Sequence, residues 1–181
     1  MNLRTNALIL ALALLSALGG YLLSAVLRPA PISPSAKTPV LRIGDQRVNL
    51  ALPDVHGQER HFAEWDGKLI LINFWATWCA PCRQEMTLLN STEQLFRDQG
   101  LAIVGIAMDD ADAVAQYLKQ SPVDYPILLA STTETDPSIL FGDARAVLPY
   151  SVLIGRDGKL IAQHAGSFND HALQSWIRPH L

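Results

Sequence analysis

The chain has 181 residues, and its 14 basic and 17 acidic side chains leave a formal net charge of −3. No basic run or patch is visible, which argues against a nucleic-acid partner. Two cysteines in all, with no second pair to join them, do not supply the four ligands of a structural zinc site.

The first element is an uncharged, Leu- and Ala-rich run from Ala7 to Leu27, flanked by Arg4 and Arg28. Its length suits a bilayer core, so residues 1–28 read as a single-pass membrane anchor. The alternative is a cleaved signal peptide, for which Ala17-Leu18-Gly19 offers small residues; the apolar stretch continues past them through Leu27. With few residues ahead of the span, the Arg4 end stays inside and the long C-terminal part crosses. Residues 29–39 hold four prolines and form an extended linker. Residues 40–181 are the exported domain.

Short strands are expected at Asn49–Pro53 and around Arg60-His61-Phe62, with a turn between them over residues 54–58. Lys68–Trp75 is almost continuously apolar and reads as a central strand buried on both faces. The spacing predicts a helix over 80–98, with Met86, Leu88, Leu89, Leu95 and Phe96 forming its apolar stripe and Gly100 stopping it. A second buried strand follows over 101–108. Asp109, Asp110 and Asp112 read as the acidic, solvated start of a helix through Lys119. A short strand is expected over 125–129 and a short helix from Asp136-Pro137 to Gly142. Ser151–Gly155 and Lys159–His164 alternate around Arg156-Asp157-Gly158 as a hairpin. A last helix runs from Asp170 to Arg178, with Leu173, Trp176 and Ile177 inward. This order predicts an α/β fold, a mixed central sheet with helices on both faces.

Cys79 and Cys82, in Trp78-Cys79-Ala80-Pro81-Cys82, stand where the central strand ends and a helix begins. A helix N-terminus offers free N–H groups and partial positive charge, both of which favour the thiolate of the first cysteine. Pro81 suits the first helical turn, where its missing N–H has no intrahelical partner. Covalent haem attachment needs His after the second cysteine, and Arg83 stands there. A purely structural bridge across two residues closes too small a loop to constrain the unfolded chain. The pair therefore reads as a dithiol–disulfide redox centre, with no metal and no cofactor.

The run Asn73-Phe74-Trp75-Ala76-Thr77-Trp78-Cys79-Ala80-Pro81-Cys82-Arg83-Gln84-Glu85-Met86 resembles the membrane-anchored, extracytoplasmic TlpA/ResA-like thiol-disulfide oxidoreductases of the thioredoxin superfamily. Leu148-Pro149-Tyr150-Ser151-Val152-Leu153-Ile154, with Arg156-Asp157-Gly158-Lys159 after it, is a second match. The resemblance covers residues from about 40 onward. It implies a thioredoxin-like fold with extra N-terminal strands and a central insertion. It implies an exposed attacking thiol at Cys79 and a more buried resolving thiol at Cys82. Pro149 matches the family's cis-proline, which would present the backbone of Leu148 to an extended substrate segment. Asn73 replaces the buried acid of cytosolic thioredoxin, and Glu85, three residues past Cys82, is the residue that tunes the thiols or accepts their proton; a plain helix-dipole glutamate is the competing reading. Trp75 is expected in the core and Trp78 at the site.

The expected partners are protein disulfides, apocytochrome c among them, and a transmembrane thiol carrier that supplies electrons, because an oxidising compartment such as the periplasm has no thiol buffer. The expected location is the bacterial inner membrane, with the domain facing the periplasm. Two departures from the family stand out. Thr87 replaces a common proline, which removes the expected helix kink. Tyr150 replaces the glutamate of dedicated cytochrome c maturation reductases, which favours general disulfide reduction. The five histidines are scattered, and none pairs at helical ligand spacing. Alternatives are a peroxiredoxin-like peroxidase, a dithiol oxidase, and a redox-responsive binding or chaperone module. The peroxidase lacks its proline-rich loop, and its Thr would stand three rather than two residues before the cysteine.

Overall fold

The computed structural model describes residues 40–131, 133 and 136–181; the apolar run and the linker lie outside them. Among the described residues no helix is long and apolar enough to cross a membrane.

The chain forms β1 (Ala51–Pro53), β2 (Glu59–His61), β3 (Leu69–Trp75), α1 (Ala80–Phe96), β4 (Leu101–Ala107), α2 (Ala111–Gln120), β5 (Ile127–Leu129), α3 (Pro137–Leu140), β6 (Tyr150–Ile154), β7 (Leu160–Ala165) and α4 (Asp170–Ile177). Five strands make one sheet in the order β5-β4-β3-β6-β7, with β1 and β2 forming a separate hairpin. β3 pairs parallel with β4 and antiparallel with β6, so the sheet is mixed as expected. A bridge between Asp54 and Leu128 joins the hairpin to the β5 edge.

Every residue of β3 and β4 is buried, because each strand feeds two cores. Leu69, Leu71 and Trp75 face one cluster with Met86, Leu89 and Phe96 of α1, Val114 of α2, and Leu173 and Ile177 of α4. Ile70, Ile72 and Phe74 face the other, with Phe62, Trp65 and Phe141. This second face departs from the sequence expectation. Among the described residues it is covered by the 3-10 turn Phe62–Trp65, the four-residue α3, and Leu41, Val48, Leu50 and Leu52 rather than by a long helix.

The stripe of α1 also differs from the periodicity reading. Leu95 is 56% exposed, whereas Cys82, Glu85, Met86, Leu89, Thr92, Glu93 and Phe96 are buried. Inward positions follow spacings of three and four from Cys82, and Leu95 falls off that line. Glu93 tolerates its inward place because Arg97, one turn on, pairs with its carboxylate. The helix ends earlier than read, at Phe96, and Gly100 at φ 86° closes the short 3-10 turn that follows.

Alternation within β3 puts Asn73 on the α1 side of the sheet, opposite Gly105 of β4. A side chain at Gly105 would stand 2.5 Å from Ile127 Cδ1 and 3.2 Å from Trp75 Nε1. The absent side chain leaves room for the Trp75 indole, which meets Tyr117 of α2 at a tilt of 51° with ring centroids 5.5 Å apart.

Candidate active site

Cys79 occupies the N-cap of α1, with extended backbone, and Pro81 lies in the first turn. Cys79 and Cys82 are joined as a disulfide with Cα atoms 5.3 Å apart. The expected exposure of Cys79 is smaller than its role suggests: Cys79 is 6% exposed and Cys82 is fully buried. The order is nevertheless as read, with the first sulfur nearer solvent. Cys79 Sγ accepts the Cys82 N–H at 3.3 Å, one of the free donors of the helix start. The same donor can serve a thiolate when the bridge opens.

The segment before Cys79 is held by three hydrogen bonds with two side chains. Asp109 Oδ2 accepts from the Thr77 N–H at 3.2 Å and from the Thr77 hydroxyl. Arg83 Nη1 donates to the Thr77 carbonyl at 2.8 Å. Asp109 thus does more than begin the helix, where its Oδ1 accepts from the Asp110 N–H at 2.9 Å. Asp110 alone caps α2, accepting from the Ala113 N–H at 2.9 Å. Neither Asp109 nor Arg83 was singled out for this purpose in the sequence; the only available signal was an acidic residue at the end of the strand parallel to β3. Trp78, next in line, is 68% exposed beside Cys79. Replacing Asp109 by Ala leaves two half-buried donors of Thr77 without their charged acceptor. That should cost about 1–2 kcal/mol, read as a lower urea midpoint of the oxidised protein.

Beneath the disulfide lies Glu85, one helical turn past Cys82 and 2% exposed. Its Oε1 accepts from the Phe168 N–H at 2.7 Å, and its Oε2 accepts from Asn73 Nδ2 at 3.2 Å. The same Asn73 amide donates to Ser151 Oγ of β6 at 3.0 Å. Burial pushes the Glu85 carboxyl up from its ordinary range, and the two hydrogen bonds only partly offset it. Helix-dipole placement does not describe this residue, since it is turned into the core. Asn73 and Glu85 thus form one unit, with the acid on the helix and its amide partner on the strand.

The Leu148–Pro149 peptide bond is cis. Leu148 packs against the cluster that contains both cysteines. Asp143, 4% exposed, shapes the preceding loop by accepting the Val147 N–H at 2.7 Å and the Arg145 N–H at 3.3 Å. Sequence reasoning passed over Asp143. Tyr150 turns into the opposite core, where its hydroxyl donates to the Phe141 carbonyl at 3.0 Å. Burial pushes its pKa up to about 12, so it stays protonated and cannot stand in for a glutamate at this position.

A two-cysteine couple at a helix start, a buried acid one turn on, and a cis-proline whose neighbour Leu148 packs against the cysteines' cluster form an arrangement suited to thiol–disulfide exchange. The AhpC/TSA family model matches residues 43–163. The chain belongs to the AhpC/TSA family. Within this thioredoxin-like family it is similar to the thiol-disulfide oxidoreductases ResA. It is 28% identical to ResA of Bacillus cereus (strain ATCC 10987 / NRS 248) over 144 residues, 79% of this chain and 81% of that one. It is 27% identical to ResA of Bacillus subtilis (strain 168) over 135 residues, 74% of this chain and 73% of that one. Among solved structures, a Chlorobium tepidum protein assigned as the thiol:disulfide interchange protein DsbE superposes with a TM-score of 0.70 at 27% identity, covering 77% of this chain and 98% of that one. This AhpC/TSA member is a ResA/TlpA-like thiol-disulfide oxidoreductase with Cys79–Cys82 as its disulfide.

Proposed function

We propose that the protein is an extracytoplasmic reductase of protein disulfides, anchored by residues 7–27 and recharged by a transmembrane thiol carrier. In the reduced state, thiolate Cys79 attacks one sulfur of a partner disulfide. A mixed disulfide forms and the partner's other sulfur leaves as a thiolate, which takes a proton from solvent. Cys82 then loses its proton to Glu85 and attacks Cys79 Sγ. The Cys79–Cys82 bond forms, the partner's remaining thiolate leaves, and two electrons have passed to the partner. Leu148 and Pro149 offer extended backbone along which a partner segment can lie. Exposed Trp78 supplies an apolar contact at the same edge, and Pro81 and Asn73 hold the helix start and the acid in place.

The observation that carries the direction is the buried Glu85 carboxyl. In its ionised form this carboxylate disfavours thiolates on both sulfurs. A less stable thiolate makes the reduced form a better electron donor, as the opposite arrangement makes a strong oxidant. Apocytochrome c is one partner of suitable chemistry; the core placement of Tyr150 favours disulfide partners at large. The dithiothreitol-reduced protein is expected to reduce the interchain disulfides of insulin catalytically and to leave hydrogen peroxide unconsumed. Peroxide turnover with insulin untouched would instead establish the peroxidase reading.

A further inference from the structure

The short turn between β7 and α4 touches both halves of the site. The Gly166 N–H donates to the Pro149 carbonyl at 2.8 Å, and two residues on the Phe168 N–H donates to Glu85 at 2.7 Å. One turn therefore links the cis-proline loop to the buried acid. Its path is confined at both ends. Gly166 sits at φ 97°, a left-handed conformation that suits glycine. The Phe168 ring stacks on His164 with centroids 3.9 Å apart and planes at 23°. It also meets Trp176 of α4 at 5.0 Å, while His164 lies 6.1 Å from the same indole. His164 stands opposite Ser151 in the β6–β7 register, and Ser151 Oγ is the second acceptor of Asn73.

We propose that the Gly166–Ser167–Phe168 turn, clamped by the His164–Phe168–Trp176 ring stack, is a positioning element that holds the Glu85 carboxylate in register with the Cys79–Cys82 pair and the Pro149 loop. The inference rests on the reading of Glu85 as proton acceptor. Phe168 is a positioning residue: only its backbone N–H reaches the acid, and its ring decides where that N–H points. Without the ring stack, the two-residue span from Gly166 to Phe168 is free to pivot on the Pro149 contact, and the N–H leaves Glu85. Leu173 and Ile177 seat α4 on the core, and Phe168 and Trp176 pack against the edge of the same cluster.

The groups that face Glu85 are few. They are the Asn73 amide from β3, the Phe168 N–H from the turn, and Cys82 one turn back on α1. The Tyr125 hydroxyl is the remaining one, pushed up first by its own burial and then by the Glu85 and Tyr117 charges. Among the described residues no charged side chain contributes to the ionisation of Glu85. The hydrogen bond from Phe168 is therefore the larger of the two that oppose the upward push of burial on Glu85.

The test is the titration of the Glu85 carboxyl carbon by NMR in the reduced full chain, for wild type, Phe168→Leu and Phe168→Tyr. Phe168→Leu keeps the backbone N–H and most of the apolar volume but removes the stack. Its midpoint is expected to move upward, because burial persists while the stabilising N–H is lost. Phe168→Tyr keeps the ring and is expected to titrate as wild type. A midpoint in Phe168→Leu that stays or falls, or one in Phe168→Tyr that moves as far as in Phe168→Leu, would overturn the proposal. Should Phe168→Leu not fold, His164→Gln at the outer side of the stack carries the same test with the same sign. The parent reading fails separately: Glu85→Gln with an unchanged pH profile of disulfide resolution refutes the proton-acceptor role and leaves the titration result standing.

Discussion

Cys82→Ser is expected to turn the protein into a trap. Cys79 keeps its place at the N-cap of α1 and its attack on a partner disulfide, but nothing remains to displace the partner. A mixed disulfide should accumulate to stoichiometric amounts, visible as a reductant-sensitive band on a non-reducing gel. Cys79→Ser should show neither the adduct nor turnover above the uncatalysed background, because Cys82 is fully buried and cannot reach a protein partner. The reverse pattern, with adducts through Cys82 and none through Cys79, would assign the attacking sulfur wrongly. Cys79 is favoured both by its 6% exposure and by its position at the open helix start.

Glu85→Gln should separate activity from stability. Resolution of the mixed disulfide is expected to slow about 100-fold, the order of a lost general base. In the wild type the resolution rate should rise with pH through the raised midpoint of Glu85, since only the carboxylate accepts the proton; in Glu85→Gln that inflection should vanish. Stability moves the other way. Burial raises the folded-state pKa of Glu85 above its unfolded value, so its favourable contribution is complete below the unfolded pKa and is lost as pH rises through the folded one. The Gln variant avoids that loss. It can still accept from the Phe168 N–H, and the Asn73 amide, once turned over, presents to the new amide its Oδ1, which has no hydrogen-bond partner among the described residues. Glu85→Gln should therefore be the more stable protein at neutral pH in a denaturant titration, with the two curves converging in acid. A destabilised Gln variant at neutral pH would show that the carboxylate is held for structural reasons.

These effects trace to features that the sequence shows unevenly. The strand–Cys-x-x-Cys–helix junction was plain, because continuous burial of β3 and the Pro81 helix start each leave a strong local pattern. The hairpin of β6 and β7 was equally clear from its turn residues. The second face of the sheet was not, since short 3-10 and helical pieces carry no periodicity long enough to read. Leu95 misled because composition marks it as core while the helix phase, set by Cys82 and Glu85, places it outside. The polar framework was the hardest part. Asp109, Asp143, Ser151 and the Phe168 N–H lie far from Cys79 along the chain, and a hydrogen bond between a backbone donor and a distant carboxylate leaves no mark in spacing. Glu85 was singled out by its helix position, but its competing surface role was excluded only by its burial against Asn73 and Phe168.

The central claim is that the pair donates electrons, and the reduction potential of the Cys79–Cys82 couple tests it most directly. Equilibration with glutathione or a thioredoxin of known potential, read by alkylation of the free thiols, gives the value. A buried carboxylate that disfavours thiolates predicts a potential near that of thioredoxin, about −270 mV, and a rise toward oxidising values in Glu85→Gln. A wild-type potential near about −120 mV, where the reduced form is the stabilised one, would contradict the account and make the protein a disulfide donor.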